Sequence, residues 1–160
     1  MKNYISDVMS IAKSKINIQE KGNNIIEFNG WADIHYPRGG KLSWQGQPYC
    51  YTCVSFCMIT SGLKIPFCAS CPEGYNWYKV KGKIFIQPQK GDLAFFNWGA
   101  SYPQHVSLVD EVNKDNTFWS IEANTSPSST TGSQANGQGV YRKLRRLSEV
   151  LGFGRPNYIQ

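Results

Sequence analysis

Apolar residues change their spacing once along this chain of 160 residues. Up to Gly82 they recur at intervals of three and four, the period of a helix. From Lys90 onward they fall in short β-branched or aromatic runs, parted by Gly, Pro, Asn and Asp. Helices first and strands after define an α+β fold, with a meandering antiparallel sheet packed on the helices. There is no internal repeat, and the length suits one domain with a core of its own.

The spacing predicts a first helix with Ile5, Val8, Met9, Ala12 and Ile16 on one face, stopping before Gly22-Asn23-Asn24. Residues 29–48 hold Asn29-Gly30, Tyr36-Pro37 and Arg38-Gly39-Gly40, and read as a long surface loop. A second helix is expected from near Pro48 to Ser61, with Cys50, Cys53, Val54, Cys57 and Met58 on one apolar face and Gly62 at its C-terminal cap. Ser70 followed by Glu73 three residues later signals the start of a third helix, which carries Tyr75, Trp77 and Tyr78 and stops near Gly82. Strands are predicted over 93–98, 105–112, 118–124 and 140–146. The polar stretch 125–139 between the last two is expected to be a mobile loop.

Composition narrows the function classes. Apolar residues make up 41% and charged residues 18%, which excludes a disordered chain. The formal net charge is +6, so an anionic partner is expected: nucleic acid, a membrane surface or a wall polymer. No nucleic-acid-binding signature and no phosphate-binding glycine loop is present. The cluster Arg142, Lys143, Arg145 and Arg146 therefore reads as a charged strand edge. No run of 18 apolar residues exists, and the amphipathic N-terminus lacks the apolar stretch of a secretory signal. Five cysteines lie between positions 50 and 71; an odd set without a signal argues against a disulfide framework. They are then metal ligands, core residues, or one nucleophile with bystanders.

Cys50 opens the second predicted helix, where the dipole and unpaired backbone N–H groups stabilise a thiolate and can hold an oxyanion. A thiolate needs a base, and the chain has two histidines. His35 lies in the irregular loop. His105 opens a strand just after Tyr102-Pro103, where a base is expected to be rigidly held and still exposed. An imidazole needs an orienting group on its other nitrogen. Glu122 and Asn124, two apart on the next strand, share a face and are the candidates, on the solvent side opposite Trp119, Ile121 and Ala123. Zinc is the competing reading. Cys50-x2-Cys53 and Cys68-x2-Cys71 are separated by 14 residues; a variant set is Cys53, Cys57, Cys68 and Cys71. Zinc held by Cys50 would make a zinc-stabilised, non-catalytic binding module for nucleic acid or protein, whereas the variant set leaves Cys50 free as a nucleophile.

The string Gln47-Pro48-Tyr49-Cys50, followed by Val54-Ser55-Phe56-Cys57, resembles the nucleophile helix of CHAP domains, the cysteine, histidine-dependent amidohydrolases/peptidases of phage lysins and bacterial wall hydrolases. Lys90-Gly91-Asp92 with the aromatic strand after it, His105-Val106, and Glu122-Ala123-Asn124-Thr125 match the family's later blocks in order. Val140-Tyr141-Arg142 and Gly152-Phe153-Gly154-Arg155-Pro156 resemble its closing strands. The chain departs from the pattern at Tyr49, where the family often has Trp, at Tyr51, commonly acidic, and at Cys53, usually aromatic.

The resemblance implies a papain-like fold with Cys50 as nucleophile, His105 as base, Glu122 as its orienter and Asn124 as a polar helper beside the ring. It implies the amide bonds of peptidoglycan as substrate, cut by a muramoyl-alanine amidase or an endopeptidase, with no cofactor. Some relatives bind calcium through an Asp-rich loop ahead of the cysteine; here residues 29–48 contain only Asp33, so no such metal site is expected. Gln47 is expected to help hold the oxyanion. Tyr49, Trp44, Tyr36 and Trp98, with Trp31, are expected to line a groove for glycan or stem peptide. The whole chain, 1–160, is expected to be one catalytic domain without a separate wall-binding domain. It is expected to be a monomeric phage endolysin that waits in the host cytoplasm and then reaches the wall, without inserting in a membrane or binding nucleic acid.

Overall fold

A computed structural model describes residues 4–158. Val8, Met9 and Ala12 are buried along one side of helix α1 (Ile5–Ser14), as their spacing requires. Ile16 falls in the turn after it rather than on its face. The expected loop 29–48 is corrected: its first part is helix α2 (Glu27–His35). Phe28 and Ala32, one helical turn apart, are fully buried, and so is Asn29. Asn29 earns a place inside by donating Nδ2 to the carbonyl oxygens of Asn24 and Gln47. Burial of this turn outweighs the Asn-Gly pair that reads as punctuation in isolation.

Helix α3 (Cys50–Thr60) begins two residues after Pro48. It is buried on nearly every side, from Cys50 to Ser55 and again at Cys57 and Met58, so a single apolar face describes it too narrowly. It packs on α1, on α2 and on the sheet. Helix α4 (Cys71–Val80) is capped as its sequence suggests: the Ser70 hydroxyl accepts the N–H of Glu73 at 3.4 Å, and Pro72 sits in the first turn.

The sheet has six strands, all pairs antiparallel, in the order β1-β6-β2-β3-β4-β5. They are β1 (Ile84–Phe85), β2 (Leu93–Phe96), β3 (His105–Val112), β4 (Thr117–Thr125), β5 (Gly139–Arg146) and β6 (Val150–Gly154). The α+β, papain-like fold is as expected, with the four helices preceding the sheet. β2 stops short of Trp98 because 97–100 turns: the Ala100 N–H bonds to the Asn97 carbonyl at 2.8 Å, and Trp98 takes φ 39°. β1 is outside the predicted strands. β6 returns between β1 and β2, and Arg155 beyond it grips buried Asp92 at 2.7 and 2.9 Å, tying the sheet's last strand to its second.

The sheet divides the core in two. Leu93, Phe95, Val106, Leu108, Ile121 and Ala123 face the helices. Ala94, Phe96, Val109, Phe118 and Phe153 form a smaller apolar cluster on the other side. Glu122 and Asn124 do not lie on a solvent face, since both are fully buried. The charged-edge reading of β5 is likewise corrected, because Lys143 and Arg145 point inward and are 1% exposed while Leu144 between them is 41% exposed. The 125–139 loop, expected to be mobile, is tied down by hydrogen bonds: Ser126 N–H bonds to the Ser133 carbonyl, Gly137 N–H to the Asn124 carbonyl, and Lys143 Nζ donates to Gln134 and to the Ser126 carbonyl. No helix among the described residues is long and apolar enough to cross a membrane.

Candidate active site

Cys50 is the first residue of α3, and no side chain caps that helix end. Its Sγ therefore sits where free N–H groups and the helix dipole favour negative charge. It is 5% exposed, and its Sγ lies 3.6 Å from Sγ of Cys71, the first residue of α4. Two helix N-termini thus bring two thiols together. The hydrogen bond from Cys71 lowers the Cys50 thiol well below its usual range; burial opposes this, and His105 adds to it. The Cys71 thiol is pushed the other way, by giving up that bond and by burial. Of the pair, Cys50 is the one that ionises.

His105 is the first residue of β3 and is corrected from exposed to fully buried: it sits against the stacked pair Phe96 and Trp98, whose rings lie 5.7 and 5.8 Å from the imidazole. Nε2 is 3.2 Å from Glu122 Oε2. Nδ1 is buried with no hydrogen-bond partner among the described residues; besides Glu122, the Cys50 thiol is the group that favours a charged ring. Burial disfavours a charged imidazole, yet Cys50 and Glu122 together overcome it and raise His105 to about 9. Thiolate and imidazolium are therefore the paired state, with Glu122 completing the ladder.

Glu122 is the most heavily bonded group of the site. Its Oε1 accepts from the Ser120 hydroxyl at 2.6 Å and from Arg145 Nε at 2.7 Å. Its Oε2 accepts from Arg145 at 2.7 Å as well as from His105. Burial alone would neutralise such a carboxyl; Arg145 and His105 reverse this and hold it at about 2, against an ordinary 4.5.

The other expected site residues are placed unevenly. Asn124 lies near the end of β4, in a left-handed conformation (φ 59°). Its Nδ2 bonds to the Ala135 carbonyl, and its Oδ1 has no partner among the described residues, so it makes no hydrogen bond to the ring. Tyr49 is corrected: fully buried, it packs on Phe28 and donates its hydroxyl to the Gly137 carbonyl, so it walls the core and not a groove. Trp98 is half-buried and lies against the His105 ring. Tyr36 and Trp44 remain half-buried in an aromatic group with Trp31 and Phe67; Tyr36 stacks on Phe67 at 4.5 Å. Gln47 is exposed three residues before Cys50. His35 ends α2, exposed, against Trp31. Among the described residues no three His, Cys, Asp or Glu side chains are placed to hold a metal ion, so neither four-cysteine set is assembled.

Sequence reasoning missed Arg145, Ser120 and the proximity of Cys71. A signal for Arg145 was present: in Lys143-Leu144-Arg145 the alternation can bury either Leu or the two cations, and a carboxylate at the same face of the neighbouring strand decides for the cations.

A thiol at a helix tip, coupled to an imidazole that leans on a carboxylate of the next strand, with helices layered on an antiparallel sheet, is the arrangement of the papain-like cysteine hydrolases. A sequence model of the CHAP domain matches residues 42–124, a stretch that contains Cys50, His105, Glu122 and Asn124, and the chain belongs to that family. Among solved structures it is similar to an N-acetylmuramoyl-L-alanine amidase from Staphylococcus aureus, with 18% identity over 68% of this chain and 30% of that one, TM-score 0.47. It is also similar to a wild-type endolysin, LysIME-EF1, with 14% identity over 99% of this chain and 66% of that one, TM-score 0.48. The chain thus spans less than a third of the first structure and about two thirds of the second. Comparison with curated proteins gives no match.

Proposed function

We propose that this chain is a peptidoglycan hydrolase of the endolysin kind, cutting an amide bond with Cys50 as nucleophile. The observation that carries the reading is the buried ladder from Cys50 through His105 to Glu122, with its thiol at the N-terminus of α3. The Cys50 thiolate attacks the amide carbonyl, and the N–H groups at the start of α3, with Gln47, receive the oxyanion. The His105 imidazolium gives its proton to the departing amine, leaving a thioester. Neutral His105 then takes a proton from water, whose oxygen displaces Cys50 and releases the acid. Glu122 steadies the imidazolium in both halves. Membership of the CHAP family supports a wall amide as substrate, and the net positive charge suits an anionic wall. The half-buried aromatic group at Tyr36, Trp44 and Phe67 offers flat surfaces on which sugar rings or a stem peptide can pack.

The test is turbidity loss of purified bacterial walls, with mass spectrometry of the soluble fragments. New N-termini at the first alanine identify an amidase; new termini within the stem or cross-bridge identify an endopeptidase. Cys50→Ala should lose activity by a factor on the order of 10⁴ or more while its circular dichroism is unchanged. Equal lysis by wild type and this variant refutes the mechanism.

A further inference from the structure

Arg145 is a cation where a strand from an ordinary edge would carry a solvated one. Its side chain is fully buried. Nε and Nη2 make parallel 2.7 Å bonds to the two oxygens of Glu122, the planar fork that arginine forms and lysine does not. The fork is itself held on every side. Nη2 also donates to Gln134 Oε1 at 2.9 Å, and Nη1 points to the Ser129 carbonyl at 3.4 Å and to Glu149 at 3.5 Å. The guanidinium carbon lies 5.3 Å from the Phe96 ring and 5.7 Å from that of Trp98, the two rings that also contact His105. Gln134 Oε1 takes a second bond from Lys143 Nζ, so one side chain of the 125–139 loop fixes both inward cations of β5. The charged groups around Glu122 are therefore His105 from β3, Arg145 and Lys143 from β5, and Glu149 behind Arg145.

We infer that Arg145 is a positioning residue of the CHAP site, orienting Glu122 toward His105 and thereby supporting the Cys50–His105 pair. The inference rests on the catalytic reading of Cys50, but not on the identity of the substrate. The four groups alternate in sign: thiolate, imidazolium, carboxylate, guanidinium. Without the last, Glu122 is a fully buried carboxylate with His105 as its one charged hydrogen-bond partner, and burial pushes it toward the neutral acid. A neutral Glu122 no longer stabilises the imidazolium, and a weaker imidazolium no longer stabilises the thiolate. Loss of Arg145 therefore moves the ionisation of Cys50 upward.

The experiment follows alkylation of Cys50 by iodoacetamide against pH, with the modified cysteine located by peptide fragmentation. In Arg145→Met the inflection should rise by about one pH unit, so that Cys50 reacts about tenfold more slowly below it. Arg145→Lys keeps the charge without the fork and should shift it part of the way. Near-UV circular dichroism verifies folding; if the Met variant does not fold, the Lys variant decides alone. An inflection unchanged from wild type in a folded variant overturns the inference, since a merely structural arginine would lower stability without moving it. No substrate enters this assay. A protein showing the shift but dissolving no wall sinks the substrate reading and leaves this one, whereas wall lysis with an unmoved inflection does the reverse.

Discussion

Glu122 has no contact with solvent, and its charge survives because four donors replace water. That arrangement makes stability depend on pH in a definite direction. The carboxyl is at about 2 in the folded protein against an ordinary 4.5, so its contribution is complete above about 4.5 and is lost as the pH falls through about 2. The gap in thermal midpoint between wild type and Glu122→Gln should therefore close between those values; a gap that stays constant would contradict the assignment. Cys50 and His105 behave differently. They exchange a proton within the folded state, so between about 6.5 and 9 folded and unfolded chains hold the same number of protons on the pair and it adds no slope. Cys71 also acts at this scale. Cys71→Ala removes the thiol 3.6 Å from Cys50. It should raise the pH at which Cys50 becomes alkylated; no change would mean that the contact leaves the thiolate unsupported.

At the scale of elements, α3 and α4 bring their N-termini together, and the contact between them is close. A Cβ added at Gly74 on α4 would fall onto the ring of Tyr51, which is 3% exposed on α3 and has no room to swing away. Helix propensity by itself favours Gly74→Ala by about 1 kcal/mol. Overpacking costs about 1–3 kcal/mol. The variant should therefore be less stable than wild type in a urea titration, and a gain would show that the two helices can part cheaply. α1, α3, α4 and β3 were legible in the sequence because their signals are local: apolar spacing, a Ser cap, a β-branched run. α2 was not. Its turn-like Asn29-Gly30 is helical only because Phe28 and Ala32 find a core contributed by other parts of the chain. β1 is two residues long and exists only as the partner of β6.

The whole molecule carries a net charge of +6, which acts at a distance that no single ion pair does. If it draws the protein to an anionic wall, lysis should slow as salt passes about 0.1 M, where the screening length is about 10 Å. A rate flat in salt would remove charge steering from the account. Cys50 and His105 could be picked out from residue type and from placement at the start of a helix and of a strand, and Glu122 from its place on the following strand, since the order of the family's blocks places all three. What surrounds them could not. Whether Lys143 and Arg145 face water or a buried carboxylate, whether Tyr49 walls a groove or a core, and whether Cys71 is a bystander or a neighbour depend on contacts between stretches distant in the chain. Residue type and local spacing determined helices α1, α3 and α4, most of the strands and the candidate reactive groups. Only the folded sheet decided which charges were buried together, because alternation along a strand names two faces and only packing chooses which of them loses its water.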